Sequence, residues 1–360
     1  MKSSSILFVA SVLLLAALPV LWPDPYVLSV VASAGIFIIA AISLNLLLGY
    51  TGQLSLGHVA FFGIGAYTSA LMSLGFDVTL PGSDEPFVVA PKPVWLAFAS
   101  GIVVAGLFGW LVGKLAFRVR GAYFVIVTIS FAQVMRMVAT NWVDLTEGPM
   151  ALNSIPPLTL WVPGEGVVDL VTKASTYWLV LAVAVIAWLL VAALVHSRTG
   201  RAMIALRENE TLARSIGVPV THYLRIAAVG AAAIAGAAGG LYAHTVRIID
   251  PDVFMFMFTI TMVIMVIVGG KGTLAGPVVG GLLFGLLPEL LRGRLAPEVQ
   301  WILYGTLMIV ILIFMPRGIV PALSGLRRRK RAPQARPQSA AAPAAAPAVQ
   351  PPARAAGEAA

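Results

Sequence analysis

Residues 196–225 read HSRTGRAMIALRENETLARSIGVPVTHYLR and separate two long apolar stretches of this chain. The segment holds five arginines and two glutamates, whereas only 11% of the 360 residues are Asp, Glu, Lys or Arg. A chain that avoids charge elsewhere and concentrates it in one amphipathic block is typical of a membrane protein. The block predicts a docking surface at the membrane–water boundary.

The composition indicates that lipid is the solvent for most of this chain. Hydrophobic residues make up 59% of the sequence and the mean hydropathy is +0.93, whereas soluble domains have roughly 45–50% apolar residues. Inside a bilayer each span must satisfy its own backbone hydrogen bonds, which a helix does and an open strand cannot. The absence of cysteine excludes a disulfide framework and a thiolate metal site.

Apolar segments recur through residue 315, and a helix needs about 20 residues to cross a bilayer. They predict an all-α polytopic membrane protein with about ten transmembrane helices. The last three segments are short enough to be tilted, broken or re-entrant. The predicted segments are 6–22, 26–48, 54–74, 94–117, 122–140, 177–195, 226–246, 254–268, 277–291 and 301–315.

The distribution of Lys and Arg predicts the orientation, because these residues concentrate in short cytoplasmic loops. Ten crossings with both termini inside place the 118–120 turn, the 196–225 block and the basic run 327–331 in the cytoplasm. One segment opposes this pattern, since the Arg-Gly-Arg at 292–294 falls outside. The two long outer loops are acidic, with Asp77, Asp84 and Glu85 against Lys92 in the first and Asp144, Glu147, Glu165 and Asp169 against Lys173 in the second.

Three regions are predicted along the chain. Residues 1–25 form an N-terminal membrane anchor, or alternatively a cleaved signal peptide with Lys2 in its charged region. Residues 26–320 form the transmembrane domain. Residues 321–360 are basic and then rich in Ala and Pro, which predicts a disordered cytoplasmic tail. The net charge of +9 does not indicate nucleic acid, because eight of the 24 basic residues lie after Met315 and favour cytoplasmic retention.

Small residues at four-residue spacing predict close packing between helices, because lipid supplies no hydrophobic force that would hold helices together. We expect these contacts to lie inside the bundle rather than at a subunit interface. The motifs are Ala105, Gly109 and Gly113; Ala232, Gly236 and Gly240; Gly276 with Gly280; and Gly281 with Gly285.

The sequence lacks the side-chain combinations that an enzyme needs. Its four histidines are scattered, without an H-E-x-x-H motif or paired carboxylates around them. The GGKGT segment at 269–273 resembles a phosphate loop only superficially, since it lacks the GK[ST] ending and the required glycine spacing. We therefore predict a protein that is not an enzyme, with no metal and no cofactor of its own, so that any ATP is hydrolysed by another chain.

Polar groups within predicted spans are hypotheses for function, because they are costly to bury. Arg136 could instead snorkel to the outer interface, and His58 could form a hydrogen bond between helices. Gln133 and Arg136 share a helix face, which favours a common partner or an aqueous cavity. Glu289 and Arg292 are predicted to pair with each other. The candidate pathway residues are Asn45, Ser55, His58, Gln133 and Arg136.

Two glycine-rich segments predict helix breaks near the cytoplasmic side. Residues 49–67 read GYTGQLSLGHVAFFGIGAY, and residues 269–281 read GGKGTLAGPVVGG. Such sequences make poor uniform helices but suit a half-helix end or a close approach between backbones. Their likeness suggests an internal repeat, although its alignment needs one gap.

The 196–225 block is predicted to contain one helix, from a Thr199 cap to a stop at Gly217 and Pro219. Glu210 and Arg214 are spaced to form an ion pair on one face. The other face either rests on the bilayer or docks into the groove of a partner. Its apolar residues are Ala202, Ala205, Leu206, Leu212, Ala213 and Ile216.

Four ordered segments carry a family resemblance: LNLLLGYTGQLSLGHVAFFGIGAY (44–67), RGAYFVIVTISFAQVMR (120–136), ALRENETLARSIGVP (205–219) and GTLAGPVVGGLLFGLLPELLR (272–292). Together they resemble permease subunits of branched-chain amino acid ABC importers of the LivM type. The likeness runs from about residue 26 to 320. It implies an ABC importer permease-type bundle in a bacterial inner membrane that admits hydrophobic amino acids. Urea or short amides are alternative substrates on the same scaffold, and an ion-coupled secondary transporter is an alternative class.

The resemblance also implies partners. These are a second permease subunit, two cytoplasmic ATPases that use ATP and Mg, and a periplasmic or extracellular substrate-binding protein. The lipid bilayer surrounds the assembly, and no nucleic acid is expected. In this family the segment 200–217 would be a coupling helix held in a groove of the ATPase. The implied contact residues are Arg207, Glu208, Glu210, Ala213 and Gly217.

Overall fold

A computed structural model describes residues 2–78, 87–162, 166–291 and 297–323. Several predictions fall outside these ranges. They concern Asp84, Glu85 and Glu165 in the outer loops, the arginines at 292–294 with the proposed Glu289–Arg292 pair, and the tail from residue 324 onward.

The described chain is predominantly helical, and a helix is found at each of the ten predicted spans. The principal helices are α1 (Lys2–Leu21), α2 (Pro25–Asn45), α3 (Val59–Leu74), α4 (Val94–Ala116), α5 (Ala122–Asn141), α6 (Val143–Thr146), α7 (Lys173–His196), α8 (Arg198–Glu208), α9 (Glu210–Ser215), α10 (Val220–Val246), α11 (Phe256–Gly269), α12 (Gly276–Leu291) and α13 (Pro297–Phe314). The all-α prediction is confirmed for the membrane-spanning part.

Shorter elements join these helices. A π-helix (Leu46–Thr51) extends α2, and 3-10 helices cover Gly148–Met150 and Pro251–Phe254. Two antiparallel hairpins lie in the predicted outer loops. They pair β1 (Phe76–Val78) with β2 (Phe87–Val89), and β3 (Thr159–Val162) with β4 (Gly166–Asp169).

Within the described residues, five helical segments are long and apolar enough to cross a membrane by themselves. They are Pro25–Thr51, Val94–Ala116, Ala122–Asn141, Lys173–His196 and Val220–Val246. In contrast, α3, α11 and α12 have only 16, 14 and 16 residues. At about 1.5 Å per residue they are shorter than a hydrocarbon core of about 30 Å. Short helices therefore occur at the glycine-rich segments, where the sequence predicts breaks.

The predicted span 54–74 begins later than expected. Helix α3 starts at Val59, and residues 52–58 are irregular. Gly52 has a φ of +76°, a left-handed conformation that ends the π-helix and that glycine adopts without strain. The broken helix predicted from the glycines of 49–67 is therefore confirmed.

Helix α10 lies against α4, α3 and α2, and its small residues make that packing possible. A Cβ added to Gly236 would collide with the side chain of Ala105, and one added to Gly109 would collide with that of Ala232. Gly281 of α12 packs in the same way on Ile38 of α2. The small-residue motifs therefore pack inside the bundle, as predicted.

Segments that are predicted towards the same side of the membrane contact each other. On the outer side, Leu152 and Ile249 exchange backbone hydrogen bonds of 2.8 and 3.0 Å, and the His244 ring bonds the Pro156 carbonyl oxygen at 2.7 Å. On the cytoplasmic side, the Trp188 indole donates to the Leu274 carbonyl oxygen at 3.1 Å. These contacts agree with the alternating topology inferred from the charges.

Candidate functional site

The charged block forms two helices rather than the single predicted helix. Helix α8 is capped by Ser197, whose hydroxyl accepts a hydrogen bond from the Gly200 amide at 3.3 Å. Asn209 then adopts an extended backbone, with φ at −158°, and its side chain accepts from the Leu212 amide at 2.9 Å. The prediction of a Thr199 cap and an unbroken helix was wrong, because an asparagine that caps the next turn interrupts the first helix.

The end of α9 is formed as predicted. Gly217 has a φ of +87°, and the Val218 amide donates to the Ala213 carbonyl oxygen at 3.0 Å. This is the hydrogen-bond pattern of a left-handed helix cap, for which glycine is the preferred residue. A Cβ at Gly217 would meet no atom within 4 Å, so replacement strains the backbone without creating a clash.

The predicted apolar face of the block is divided between two directions. Leu206 and Ala213 are buried together with Met203 against the bundle. Leu212 and Ile216 instead point outward, with 60% and 72% of their surface exposed. The prediction of one continuous apolar face was wrong, because the break at Asn209 interrupts the helical periodicity. An exposed apolar pair, Leu212 of α9 and Ile216 at its C-terminal cap, therefore lies at the predicted cytoplasmic surface.

Glu210 joins α9 to the turn between α4 and α5. Its carboxylate lies 3.1 Å from the guanidinium of Arg120 and 3.1 Å from that of Arg214. The predicted pair between Glu210 and Arg214 is confirmed, whereas no pattern in the sequence indicated the contact with Arg120. Partly exposed ion pairs contribute about 0.2–1 kcal/mol each, so their main effect here is to fix the position of α9.

Arg207 turns into the bundle, away from the exposed surface of α9. Its Nη1 donates to the Gly49 carbonyl oxygen at 2.8 Å, and its other nitrogens contact Glu208. Ala213 is buried, whereas 31% of the Arg207 side chain remains exposed. Glu208 and Gly217 are exposed. Two of the predicted coupling residues therefore pack against this chain, and two face solvent.

The predicted pathway residues of α2 and the 52–58 segment are all buried. The Asn45 amide bonds the α11–α12 turn, and His58 Nε2 lies 2.7 Å from the Ser43 hydroxyl. The predicted interhelical hydrogen bond of His58 is thus present. Among the described residues, Ser55 Oγ and His58 Nδ1 have no hydrogen-bond partner. Ser55 lines a small internal cavity with Thr128 of α5.

The predicted pair on α5 does not share a partner. Arg136 Nη2 lies 2.8 Å from a carboxylate oxygen of Asp252, in the outer 3-10 helix Pro251–Phe254. Gln133, one turn earlier on α5, is exposed. The contact with Asp252 was not predictable, because the two residues are 116 positions apart. Across the described ranges, no three His, Cys, Asp or Glu side chains cluster as a metal site would require.

These features describe a helical membrane bundle with a charged segment anchored to it, and the sequence matches one family profile. The sequence profile described as branched-chain amino acid transport system / permease component matches residues 26–312. The chain belongs to this permease family. It is therefore a multi-pass membrane transport permease and not an enzyme.

Individual relatives agree with the family assignment. The permease is 30% identical over 308 residues to the high-affinity branched-chain amino acid transport permease LivM of Salmonella typhimurium, covering 79% of this chain and 68% of the relative. It is 29% identical over 340 residues to LivM of Escherichia coli K12, with coverages of 88% and 75%. LivH of Salmonella typhimurium, also named as a permease protein, is 28% identical over 299 residues, with coverages of 79% and 91%. No solved structure matches the permease.

Proposed function

We propose that this permease is the transmembrane subunit of an ATP-driven importer of branched-chain, hydrophobic amino acids in a bacterial inner membrane. The observation that carries this proposal is the α8–α9 segment, which is anchored to the bundle and exposes two apolar side chains, Leu212 and Ile216. The relatives named LivM and LivH support the substrate, because both belong to branched-chain amino acid transport systems.

The exposed side of α9 supports docking into an ATPase. Leu212 and Ile216 present an apolar surface, and Arg214 and Glu208 place charges beside it. An amphipathic helix of this kind suits a hydrophobic groove with a polar rim. Two cytoplasmic ATPases would bind and hydrolyse ATP with Mg. Their movement would switch the permease between inward-open and outward-open states.

The exposed face of α5 supports a second permease subunit. Tyr123, Ile126, Val134 and Met137 are exposed on one stripe of this helix, and Gln133 lies among them. A glutamine that faced hydrocarbon would lose its hydrogen bonds, which is costly. We infer that this stripe faces the second permease across the substrate pathway. A substrate-binding protein would deliver amino acids at the outer side.

Copurification is the first test of this proposal. The permease is expressed with the genes for its candidate partners, extracted in mild detergent and isolated through a tag on this chain alone. We expect a second permease and two ATPase copies per assembly, with hydrolysis stimulated by leucine-loaded binding protein. If ATP hydrolysis is stimulated by urea or a short amide and not by leucine, the proposed substrate is wrong and the amide takes its place. A chain that purifies alone and transports with a proton or sodium gradient would contradict the proposal.

Glu210 is predicted to be needed for coupling. Glu210→Arg places like charges beside Arg120 and Arg214, so α9 loses its attachment to the α4–α5 turn. We expect at least a fivefold loss of uptake per ATP hydrolysed, with normal membrane insertion. The exchanged variant, Glu210→Arg with Arg120→Glu, restores one ion pair and should recover part of the loss. Full uptake by Glu210→Arg would remove Glu210 from the coupling mechanism.

Gln133 is predicted to contact substrate. Loss of one hydrogen bond costs about 1.4 kcal/mol, so Gln133→Leu should weaken leucine uptake about tenfold and change the preference between leucine and alanine. Competition uptake by the whole assembly measures both effects. Leu190→Ala, on the exposed face of α7, is the control and should transport normally. Unchanged uptake and preference in Gln133→Leu would show that Gln133 does not line the pathway.

A further inference from the structure

The π-helix at the cytoplasmic end of α2 is a buried and unusual element. It covers Leu46–Thr51, and five of its six residues are buried. π-helical turns are rare within α-helices and occur often at functional sites. The Gln53 amide bonds the Leu47 carbonyl oxygen at 3.1 Å, and Gly52 reverses the chain with its left-handed conformation. The segment is therefore held in a defined shape.

Arg207 connects α8 to this π-helix. Its Nη1 donates to the Gly49 carbonyl oxygen at 2.8 Å, a hydrogen bond strengthened by the charge of the guanidinium. The aliphatic part of the side chain lies over Gly52, where an added Cβ would be 3.2 Å from Arg207 Cγ. The same guanidinium contacts Glu208. The guanidinium of Arg207 therefore bonds groups of this same chain, and its aliphatic part packs against Gly52.

The turn between α11 and α12 reaches the same place. Asn45, just before the π-helix, donates from Nδ2 to the Thr273 carbonyl oxygen at 2.9 Å and accepts from the Gly272 amide at 2.9 Å. A Cβ on Gly272 would collide with Arg207 Nη1 and would lie 2.8 Å from the Gly49 carbonyl oxygen. Three segments that are distant in sequence therefore meet at one point, which we term the Arg207 junction. It consists of Arg207, Asn45, Gly49, Gly272 and Thr273.

We propose that Arg207 is a positioning residue that transmits movement of α8 to both α2 and the α11–α12 pair through the Arg207 junction. This inference rests on the proposed function, since it requires that an ATPase displaces the α8–α9 segment. Arg207 is partly exposed on one side, but Gly49, Gly52 and Gly272 leave no room for a Cβ where they face Asn45 and Arg207. Groups that are packed this closely transmit displacement instead of absorbing it. In this proposal Arg207 acts inside the permease and not as the predicted contact for the ATPase.

The test compares Arg207→Gln with Arg201→Gln in the complete, reconstituted assembly. Arg201 lies on the same helix, and its exposed side chain donates to the nearby His196 carbonyl oxygen at 3.3 Å, so it controls for loss of charge. Three quantities are measured: copurified ATPase, ATP hydrolysis, and leucine uptake per ATP hydrolysed. We expect Arg207→Gln to retain ATPase and hydrolysis within twofold while uptake per ATP falls about tenfold. Arg201→Gln should match the wild type.

Two further variants separate transmission from folding. Arg207→Lys keeps one donor for the Gly49 carbonyl oxygen and should recover part of the uptake per ATP. Asn45→Ala leaves Arg207 intact but releases the α11–α12 turn, and should lower uptake per ATP in the same way. If Arg207→Gln does not yield a folded assembly, leucine uptake per ATP hydrolysed in Arg207→Lys and in Asn45→Ala tests whether the junction transmits movement.

Several outcomes would overturn the inference. Normal uptake per ATP in Arg207→Gln would show that the junction does not transmit movement. Loss of bound ATPase in that variant, with Arg201→Gln normal, would make Arg207 a docking contact and would leave the proposed function intact. A wild-type assembly that hydrolyses ATP without importing amino acids would overturn the proposed function, and the inference with it.

Discussion

A permease that carries Leu212→Asp and Ile216→Asp is expected to lose its ATPases and to import at less than about a tenth of the wild-type rate. Both side chains are largely exposed on α9, so the substitutions leave the core of the bundle unchanged. In the assembly, however, each new carboxylate would enter an apolar groove without a partner, at a cost of several kcal/mol. A cost of 1.4 kcal/mol already lowers affinity tenfold. Copurification and vesicle uptake measure the two effects.

The control for this prediction is Met150→Asp. Met150 is 82% exposed, in the 3-10 helix Gly148–Met150 of a predicted outer loop, and acquires the same charge far from α9 in the sequence. It should keep its ATPases. Full binding of the ATPases by the double variant would show that α9 is not the docking surface, whatever the effect on transport.

The second large effect is expected from Gly236→Leu in the middle of α10. The first carbon of the new side chain would collide with Ala105 Cβ, and it would lie only 3.0 Å from the Gly101 carbonyl oxygen. Neither neighbour has a flexible side chain that can move away. Overpacking of this kind costs about 1–3 kcal/mol, and occasionally more, so we expect an aggregated or strongly destabilised permease. Thermal unfolding in detergent, followed by size-exclusion chromatography, measures the loss.

Gly305→Leu is the matched control, because a Cβ at Gly305 of α13 meets no atom within 4 Å. This variant should remain monodisperse, and its melting temperature should stay within about 2 °C of the wild type, the shift expected for less than about 1 kcal/mol. Equal stability of both variants would contradict the packing of α10 against α4.

The helices were predictable from the sequence because each depends on a local property, a run of apolar residues long enough for a bilayer. The close packing of small residues between α4 and α10 was predictable for a similar reason. Small residues in lipid have few uses other than close packing, and Gly109 and Gly236 pack in this way. The sidedness of the loops, inferred from the positions of Lys and Arg, stays a prediction.

The details of the charged block were not predictable from periodicity alone. Apolar spacing continues through Asn209, so the pattern predicts one helix. The hydrogen bond from the Leu212 amide to the Asn209 side chain competes with continuation of the first helix. Hydrophobic periodicity does not reveal such a bond. The break determines that Leu212 and Ile216 are exposed while Ala213 is buried. The proposed docking surface therefore consists of fewer residues than the sequence predicts.

The long-range contacts could not be predicted because they join parts of the chain that only the fold brings together. The two glycine-rich segments were each recognised as sites of close approach, but nothing in one sequence indicated that they approach each other. Asn45 and Gly272 are separated by 227 residues, and Arg207 and Gly49 by 158. The ion pair between Arg136 and Asp252 is a further example.

Leucine uptake into proteoliposomes containing the complete assembly tests the central claim most directly. The vesicles contain this permease with the proposed second permease and ATPases. The proposed binding protein is added on the outer side, and ATP is supplied on the ATPase side. We predict that radiolabelled leucine accumulates only when both ATP and the binding protein are present, and that a proton or sodium gradient without ATP gives no uptake. Accumulation driven by such a gradient in vesicles that contain this chain alone would contradict the account.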